Sequence, residues 1–284
     1  MTKVLSCLDG SVYADSVTDH AAWAALKLKA PVELLHVLGR RDVSTASPDL
    51  SGSIAADAQQ HLLAELAALD ADRAKLVQKR GRLILDAARE RLVAAGVADV
   101  TISLRHGDLL EAITEREPDA ALVVIGKRGE AADFASLHLG SNLERVVRST
   151  HKPILVASRA FRPIQRILIA FDGGPSALKA VDHVSRSPLF AGLAVDIVMA
   201  GAPSPENQRK LDNAVAQLKA GGLQATSRVE PGQADAVIAG IVEKDGIDLL
   251  VMGAYGHSRI RNLIIGSTTT EMIRSCKIPV VLFR

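Results

Sequence analysis

Aromatic residues are scarce, 3% of 284, and so few rings leave little platform for stacking single-stranded nucleic acid. An excess of one charge is also missing: 34 Lys and Arg against 32 Asp and Glu leave a net charge of +2, too little for a dedicated nucleic-acid binder. A small molecule or a protein is therefore the expected partner, and nucleic acid is not. Cysteine occurs twice, as Cys7 and Cys276, one in each half. That argues against a disulfide framework or a thiolate metal site, and both read as small buried hydrophobes. The longest apolar runs, such as Ile167 to Phe171 and Ala120 to Ile125, fall far short of the ~20 residues a membrane helix needs, so no membrane association is expected. Near the start, Lys3 and Val4-Leu5-Ser6-Cys7-Leu8 are interrupted by Asp9, too short and too soon charged for a secretory signal, and a cytoplasmic location is expected. The histidines show no ligand spacing with acids, so no metal site is expected. Neither a Gly-x-Ser-x-Gly elbow nor a Walker A sequence occurs, which counts against hydrolase and motor-type NTPase readings.

What is present is 48% hydrophobic and 23% charged, the balance of a soluble globular chain, at a length that suggests two domains. Lys3 to Leu8 is a short apolar run stopped by Asp9-Gly10 and reads as a buried strand ending in a turn. An Ala- and Leu-rich stretch from Tyr13 to Lys29 and a second apolar run, Val32 to Val37, complete a strand, helix, strand unit. Strands at Val100 to Leu104, Ala120 to Ile125 and Ile154 to Ala157 alternate with helices at Leu109 to Arg116 and Ser141 to Ser149. From Arg166 to Gly174 the order begins again, with strands at Val195 to Met199, Ala225 to Val229, Asp248 to Met252 and Val280 to Phe283. The fold class expected is α/β: two tandem open five-stranded parallel-sheet domains with helices on both faces. Domain 1 is expected over 1–159, domain 2 over 166–284, with a short Pro163-containing linker between.

The duplication is uneven. Asp9 and Asp172 are 163 residues apart, Gly96 and Gly222 only 126, so the first half carries about 37 extra residues between its second strand and Gly96. This insertion, at about 40–80, comprises a Ser/Asp/Pro-rich stretch and two helical patterns, Ile54 to Leu69 and Arg73 to Ala95. It reads either as a longer helical layer over the sheet or as a helix that packs on a partner subunit or on the second domain.

The densest chemical signal is Gly253-Ala254-Tyr255-Gly256, nine further residues, then Gly266-Ser267-Thr268, set between an apolar strand and a helix. Glycines admit close approach of backbone amides, and a helix N-terminus, here with Ser267 as the expected N-cap, supplies free N–H groups and a positive dipole end. Together these suit a phosphate. In open parallel sheets ligands lie beyond the carboxyl ends of the strands where strand order reverses. Asp172 and Gly173 at the end of one such strand would then face Met252 and Gly253 at the end of another. Asp172 reads equally as a ribose or base ligand and as a turn residue, and His257 equally as a phosphate contact and as exposed loop polarity.

On these residues the chain resembles the universal stress protein family, specifically its tandem two-domain members, with a Rossmann-like fold. Its nucleotide-binding members carry Gly, two residues, Gly, nine residues, Gly, then Ser or Thr, and Gly253, Gly256, Gly266 and Ser267 match without a gap. The resemblance implies ATP, with or without Mg²⁺, as cofactor, Asp172 at the adenosine, Val198 at the base pocket, and Gly256, Ser267 and Thr268 around the phosphates. It also implies contact between the last strands of neighbouring domains, and a homodimer. The first half departs from the pattern. Gly126-Lys127-Arg128-Gly129 precedes Gly140-Ser141 by ten residues rather than nine, and Glu130 and Asp133 lie in the loop, where carboxylates repel a polyphosphate. Its candidate positions, Asp9, Val37, Gly126, Gly129, Gly140 and Ser141, form the weaker site, although Lys127 and Arg128 would favour an anion. The expected function is an ATP-binding stress-response sensor or regulator acting mainly through its second domain, with no catalytic residues assigned and slow hydrolysis at most. Two alternatives stand beside it: a nucleotide-independent dimeric scaffold built on exposed edges at Ile154 to Ala157 and Val280 to Phe283, and an ATP-adenylating enzyme, whose signature Asp172-Gly173-Gly174-Pro175-Ser176 only echoes.

Overall fold

The computed structural model describes residues 2–39, 56–129, 141–254 and 266–284. Its first half runs β1 (Lys3–Leu8), α1 (Ala14–Leu28), β2 (Val32–Leu38), α2 (Ala56–Ala94), β3 (Val100–His106), α3 (Leu109–Arg116), β4 (Ala120–Gly126), α4 (Ser141–Ser149) and β5 (Ile154–Ala157). The second half repeats it with β6 (Arg166–Ala170), α5 (Pro175–Arg186), β7 (Ala194–Ala200), α6 (Pro205–Ala220), β8 (Gln224–Glu230), α7 (Ala234–Lys244), β9 (Leu249–Gly253), α8 (Ser267–Ser275) and β10 (Val280–Phe283). The central strands are near-continuous apolar runs because helices cover both faces of the sheet.

The two expected five-stranded sheets are present, each in the order third, second, first, fourth, fifth, and they are fused into one ten-stranded sheet, β3-β2-β1-β4-β5-β10-β9-β6-β7-β8. Every neighbouring pair is parallel except β5 with β10, which run antiparallel with Val156 opposite Val280, Leu155 opposite Val281 and Ile154 opposite Leu282. The contact between last strands that the resemblance implied is thus made within the chain; it consumes the edges at Ile154–Ala157 and Val280–Phe283 that were read as exposed, and all eight residues are buried. The core forms two layers. Val4, Leu34, Ile167 and Ile197 meet residues of α1, α2, α5 and α6 on one face. On the other, Leu5, Leu35, Leu168 and Val198 meet α3, α4, α7 and α8. Each layer runs across both halves.

The insertion is not two helices. One continuous helix of 39 residues, α2, occupies Ala56–Ala94, because Asp70-Ala71-Asp72 between the two apolar patterns contains neither proline nor glycine to stop it. Its C-terminal part lies on the sheet, with Gly81, Leu85, Ala88 and Leu92 buried. Gly81 permits this approach, since a Cβ there would stand 2.9 Å from His36 Cδ2 and 2.9 Å from Leu104 Cδ1.

A polar cluster closes the base of β1 to β3. Arg116, 8% exposed along its side chain, reaches from α3 to Glu33 at 2.8 Å, and Lys3 meets the same carboxylate at 2.7 Å. Burial alone would raise the Glu33 pKa, but these two cations hold it below the usual glutamate value. Cys7 is buried beside Glu33 and Asp9, and burial above all pushes its thiol up to about 12, so it behaves as the small hydrophobe the sequence suggested.

The segment joining the halves is packed down. Phe161 lies edge-on to His20 at 5.0 Å between ring centroids, and Ser16 Oγ donates to the Ser158 carbonyl at 2.7 Å. His20 is fully buried. Its Nδ1 lies 2.6 Å from the Ser16 carbonyl, an acceptor only, so that nitrogen carries the proton, while Nε2 has no partner among the described residues. Burial pushes the His20 pKa below the usual histidine value, and burial does the same to His183 at the repeated position on α5. Between the lowered folded value and the unfolded value of about 6.5 the unfolded chain binds more protons. Stability is therefore full above about 6.5 and falls as the pH is lowered below it. Calorimetry from neutral pH down to mildly acidic pH should show a falling Tm, with a shallower fall in His20→Leu; an unchanged slope in that variant would exclude His20 as a source.

Candidate functional site

Two strand ends lie side by side at the point where strand order reverses in the second half. β6 pairs with β9, Ala170 opposite Met252, which sets Asp172 and Gly253 on neighbouring chain ends as the sequence suggested. Asp172 Oδ1 accepts the Gly174 N–H at 2.8 Å, and Asp9 Oδ1 accepts the Ser11 N–H at 3.1 Å at the repeated position. One oxygen of each aspartate thus holds the turn that starts the following helix, which bears out the turn reading for that atom. Gly173 needs to be glycine, with φ at +74° and Lys210 Cδ 3.3 Å from where a Cβ would stand.

The two helices that open beside these strand ends both begin at a glycine. Gly174 is the N-cap of α5 and Gly266 that of α8, and neither helix has a side-chain cap. By contrast, Asp108 caps α3 and Ser204 caps α6 through their side chains. Ser267, the expected cap of α8, is the first helical residue instead, and it is exposed. The reason lies in the chain path. The Gly266 N–H donates to the Ala254 carbonyl at 3.2 Å, and Thr269 Oγ1 donates to the Gly253 carbonyl at 3.1 Å. These two bonds tie the first turn of α8 to the end of β9, one residue ahead of the serine. The N-cap of α8, a glycine, offers its first-turn N–H groups no side-chain acceptor, and the helix dipole lies behind them.

Gly253 sets how closely α5 approaches. A Cβ there would lie 2.8 Å from Ser176 Cβ and 3.3 Å from the Ala177 amide. Gly126 plays the same part in the first half, where a Cβ would meet Tyr13 Cβ at 3.0 Å. Val198 and Met252, 1% and 5% exposed, lie in the apolar layer with Ile238 and Ile241. Val37 packs against that layer from the first half, but it is not the counterpart of Val198. The spacing of 163 residues puts it opposite Ala200.

In the first half Gly129 lies over Asp9, with Oδ2 3.0 Å from a hypothetical Cβ. Lys127, read from sequence as a possible anion ligand, turns elsewhere. Its ammonium donates to the Cys276 carbonyl at the C-terminal end of α8 in the other half, where a cation meets the negative end of a helix dipole. Lys127 is 8% exposed, and burial pushes its pKa below the usual lysine range. Sequence reasoning missed this contact, Thr269 and Lys210. The only sequence signals were the Thr268-Thr269-Thr270 run and a lysine standing where the second half has Ala254. Gly256, His257 and Gly140 lie outside the described residues, as do Glu130 and Asp133; Ser141 is the first residue of α4. Among the described residues no group of three or more His, Cys, Asp or Glu is placed to hold a metal ion.

With this geometry in view, comparison with known proteins is informative. The profile of the universal stress protein family matches twice, over residues 1–158 and 163–284. A universal stress protein from Synechocystis sp. is 38% identical over 287 aligned residues that cover 100% of both chains. One from Mycobacterium tuberculosis is 25% identical, covering 80% of this chain and 78% of its own. The crystal structure of a universal stress protein from Archaeoglobus fulgidus superposes with a TM-score of 0.70 at 18% identity, covering 99% of this chain and 98% of that one.

The close approach at Gly253 gives a direct test. Gly253→Ala should force α5 away from β9 and lower stability by about 1–3 kcal/mol, read as a lower urea midpoint. Ser176→Gly in the same chain removes the carbon that the new methyl meets and should recover part of the loss. Full stability in the single variant would show that the two elements are not in van der Waals contact there.

Proposed function

Because this chain belongs to the universal stress protein family, we propose that it binds an adenine nucleotide, ATP, mainly in its second half, and acts as a sensor or regulator in a stress response. The observation that carries this reading is the pair of glycine-started helices, α5 and α8, that open beside Asp172 and Gly253 without side-chain caps. The α8 N-terminus is the phosphate end. Gly253, Gly256 and Gly266 keep side chains away from the backbone amides, and Ser267 and Thr268 bring hydroxyls to the same place. Asp172 stands at the end of β6 as the candidate contact to the adenosine, and the aliphatic Val198 and Met252 form the floor beneath the base. His257 is the remaining candidate for a phosphate contact. The weaker first-half site would comprise Asp9, Val37, Gly126, Gly129, Gly140 and Ser141. The commitment of Lys127 to Cys276 removes one of the two cations that would have favoured it.

Binding rather than turnover fits the chemistry on hand. Around the crevice the polar groups hold backbone in place: Asp172 the Gly174 amide, Thr269 the Gly253 carbonyl. The reading is of a nucleotide-controlled conformation, with slow hydrolysis at most. A cytoplasmic location accords with a chain in which no described helix is long and apolar enough to cross a membrane. The scaffold alternative loses the surface it was built on, because β5 and β10 pair with each other.

Mass spectrometry of nucleotide released from freshly purified protein, followed by calorimetric titration with ATP, tests the proposal. Gly266→Val puts a branched side chain over the first-turn amides and should weaken binding by roughly a hundredfold, about the loss of one or two charge-assisted hydrogen bonds. Gly256→Val should act likewise. Unchanged affinity in both variants would sink the assignment.

A further inference from the structure

The helix α2 has two faces, and the fold uses one. Gly81, Leu85, Ala88 and Leu92 are buried against the sheet and α1. Leu83 stands two residues from both Gly81 and Leu85, about 200° round the helix, and it is 60% exposed. It is the last of four leucines at intervals of seven: Leu62, Leu69, Leu76 and Leu83. Leu69 and Leu76 are 66% and 67% exposed, and Leu63 beside the stripe is 50% exposed. Leu62 and Leu66, the latter between Leu62 and Leu69 on the same seam, are half-buried, so the exposed part of the stripe is Leu69, Leu76 and Leu83. A leucine stripe sustained over three heptads, about 33 Å of helix, is the pattern of a coiled-coil seam, and exposed leucines in one row are uncommon on a solitary surface.

Charge along α2 selects the partner. From 61 to 72 every carboxylate or cation is acidic, Glu65, Asp70 and Asp72; from 73 to 82 every one is basic, Arg73, Lys75, Lys79, Arg80 and Arg82. A second copy laid antiparallel places the acidic segment of each helix along the basic segment of the other, whereas a parallel copy would set acid on acid and base on base. Arg73 and Arg80 continue the seam between leucines. Their aliphatic stems can cover a partner's leucines while the guanidinium groups reach its carboxylates. The alternative route to self-association through β5 and β10 is closed, since those strands pair with each other.

We infer that the exposed leucine stripe of α2 is a dimerisation surface, and that its occupant is the α2 of a second copy of this chain, antiparallel and related by a two-fold axis. This accounts for the insertion in the first half: the added length builds a helix that projects past the sheet it packs on. The inference does not depend on nucleotide binding.

Sedimentation equilibrium of the full chain should show a dimer. Leu69→Lys with Leu76→Lys buries unpaired charge in the seam and should weaken association by at least roughly tenfold. Circular dichroism and thermal midpoint should stay near the parent values, because both side chains are mostly exposed in the single chain. Orientation is read by charge inversion. Glu65→Lys, Asp70→Lys and Asp72→Lys together should weaken the dimer, and adding Arg73→Glu, Lys75→Glu and Lys79→Glu should restore it. A monomer at the highest soluble concentration, a dimer that survives the double leucine variant, or failure of the second charge set to restore association would each overturn the inference.

Discussion

Three residue pairs, Val156 with Val280, Leu155 with Val281 and Ile154 with Leu282, join the halves, and much of the architecture follows from their being antiparallel. A two-fold relation within one sheet keeps corresponding helices on the same face, so each apolar layer continues from one half into the other. It also points the strands of the two halves in opposite directions. The carboxyl ends of β1 and β4 therefore lie at one end of the sheet and those of β6 and β9 at the other. Because α8 precedes β10, it starts at the second-half crevice and finishes at the first-half one, where its last carbonyls meet Lys127.

That arrangement makes a nearly symmetric duplication functionally unequal. Lys127 has Ala254 as its counterpart, and Ala254 is buried with its amide donated to the Phe283 carbonyl. The first-half loop thus sends a cation into the opposite half from a position where the second half has a buried alanine. The extra residues fall in the first half too, and they extend α2 outward instead of widening the sheet. Both departures from symmetry equip the first half for contacts across a boundary, with the other half or with another copy, while the second keeps the intact glycine spacing.

How much of this was legible depended on the range of the interactions involved. Continuous apolar runs such as Ile167 to Phe171 and the repeated Asp-Gly turns are local signals, and they placed strands, fold class and duplication correctly. The Gly253 to Gly266 spacing is local in the same way, and its two described ends flank the junction of β9 and α8. The failures are long-range or competitive. Ser267 has the chemistry of an N-cap, but the bonds of Gly266 to Ala254 and Thr269 to Gly253 start the helix one residue earlier. Two apolar patterns in the insertion looked like two helices, because a single face cannot serve both the sheet and an outward stripe. Lys127 sits among glycines and looked like an anion ligand, and only the antiparallel seam brings Cys276 to it. The contact of β5 with β10 was expected from the family resemblance and not from the residues of the two strands, which are alike apolar runs.

Polar groups beside the ends of β1, β6 and β9 hold backbone in place. Asp172 and Asp9 each spend an oxygen on the turn before a helix, and Thr269 fixes α8 to β9. Groups placed this way make the positions of α5 and α8 depend on the same few atoms that line the crevice. A phosphate drawn to the α8 N-terminus would act on a helix of 9 residues, about 14 Å long at 1.5 Å per residue. The far end of that helix is gripped by the first half, so a shift of α8 in either direction must be accommodated at Lys127. Under the proposed nucleotide reading, α8 would be the element through which a ligand at the end of β9 bears on Lys127 in the first half.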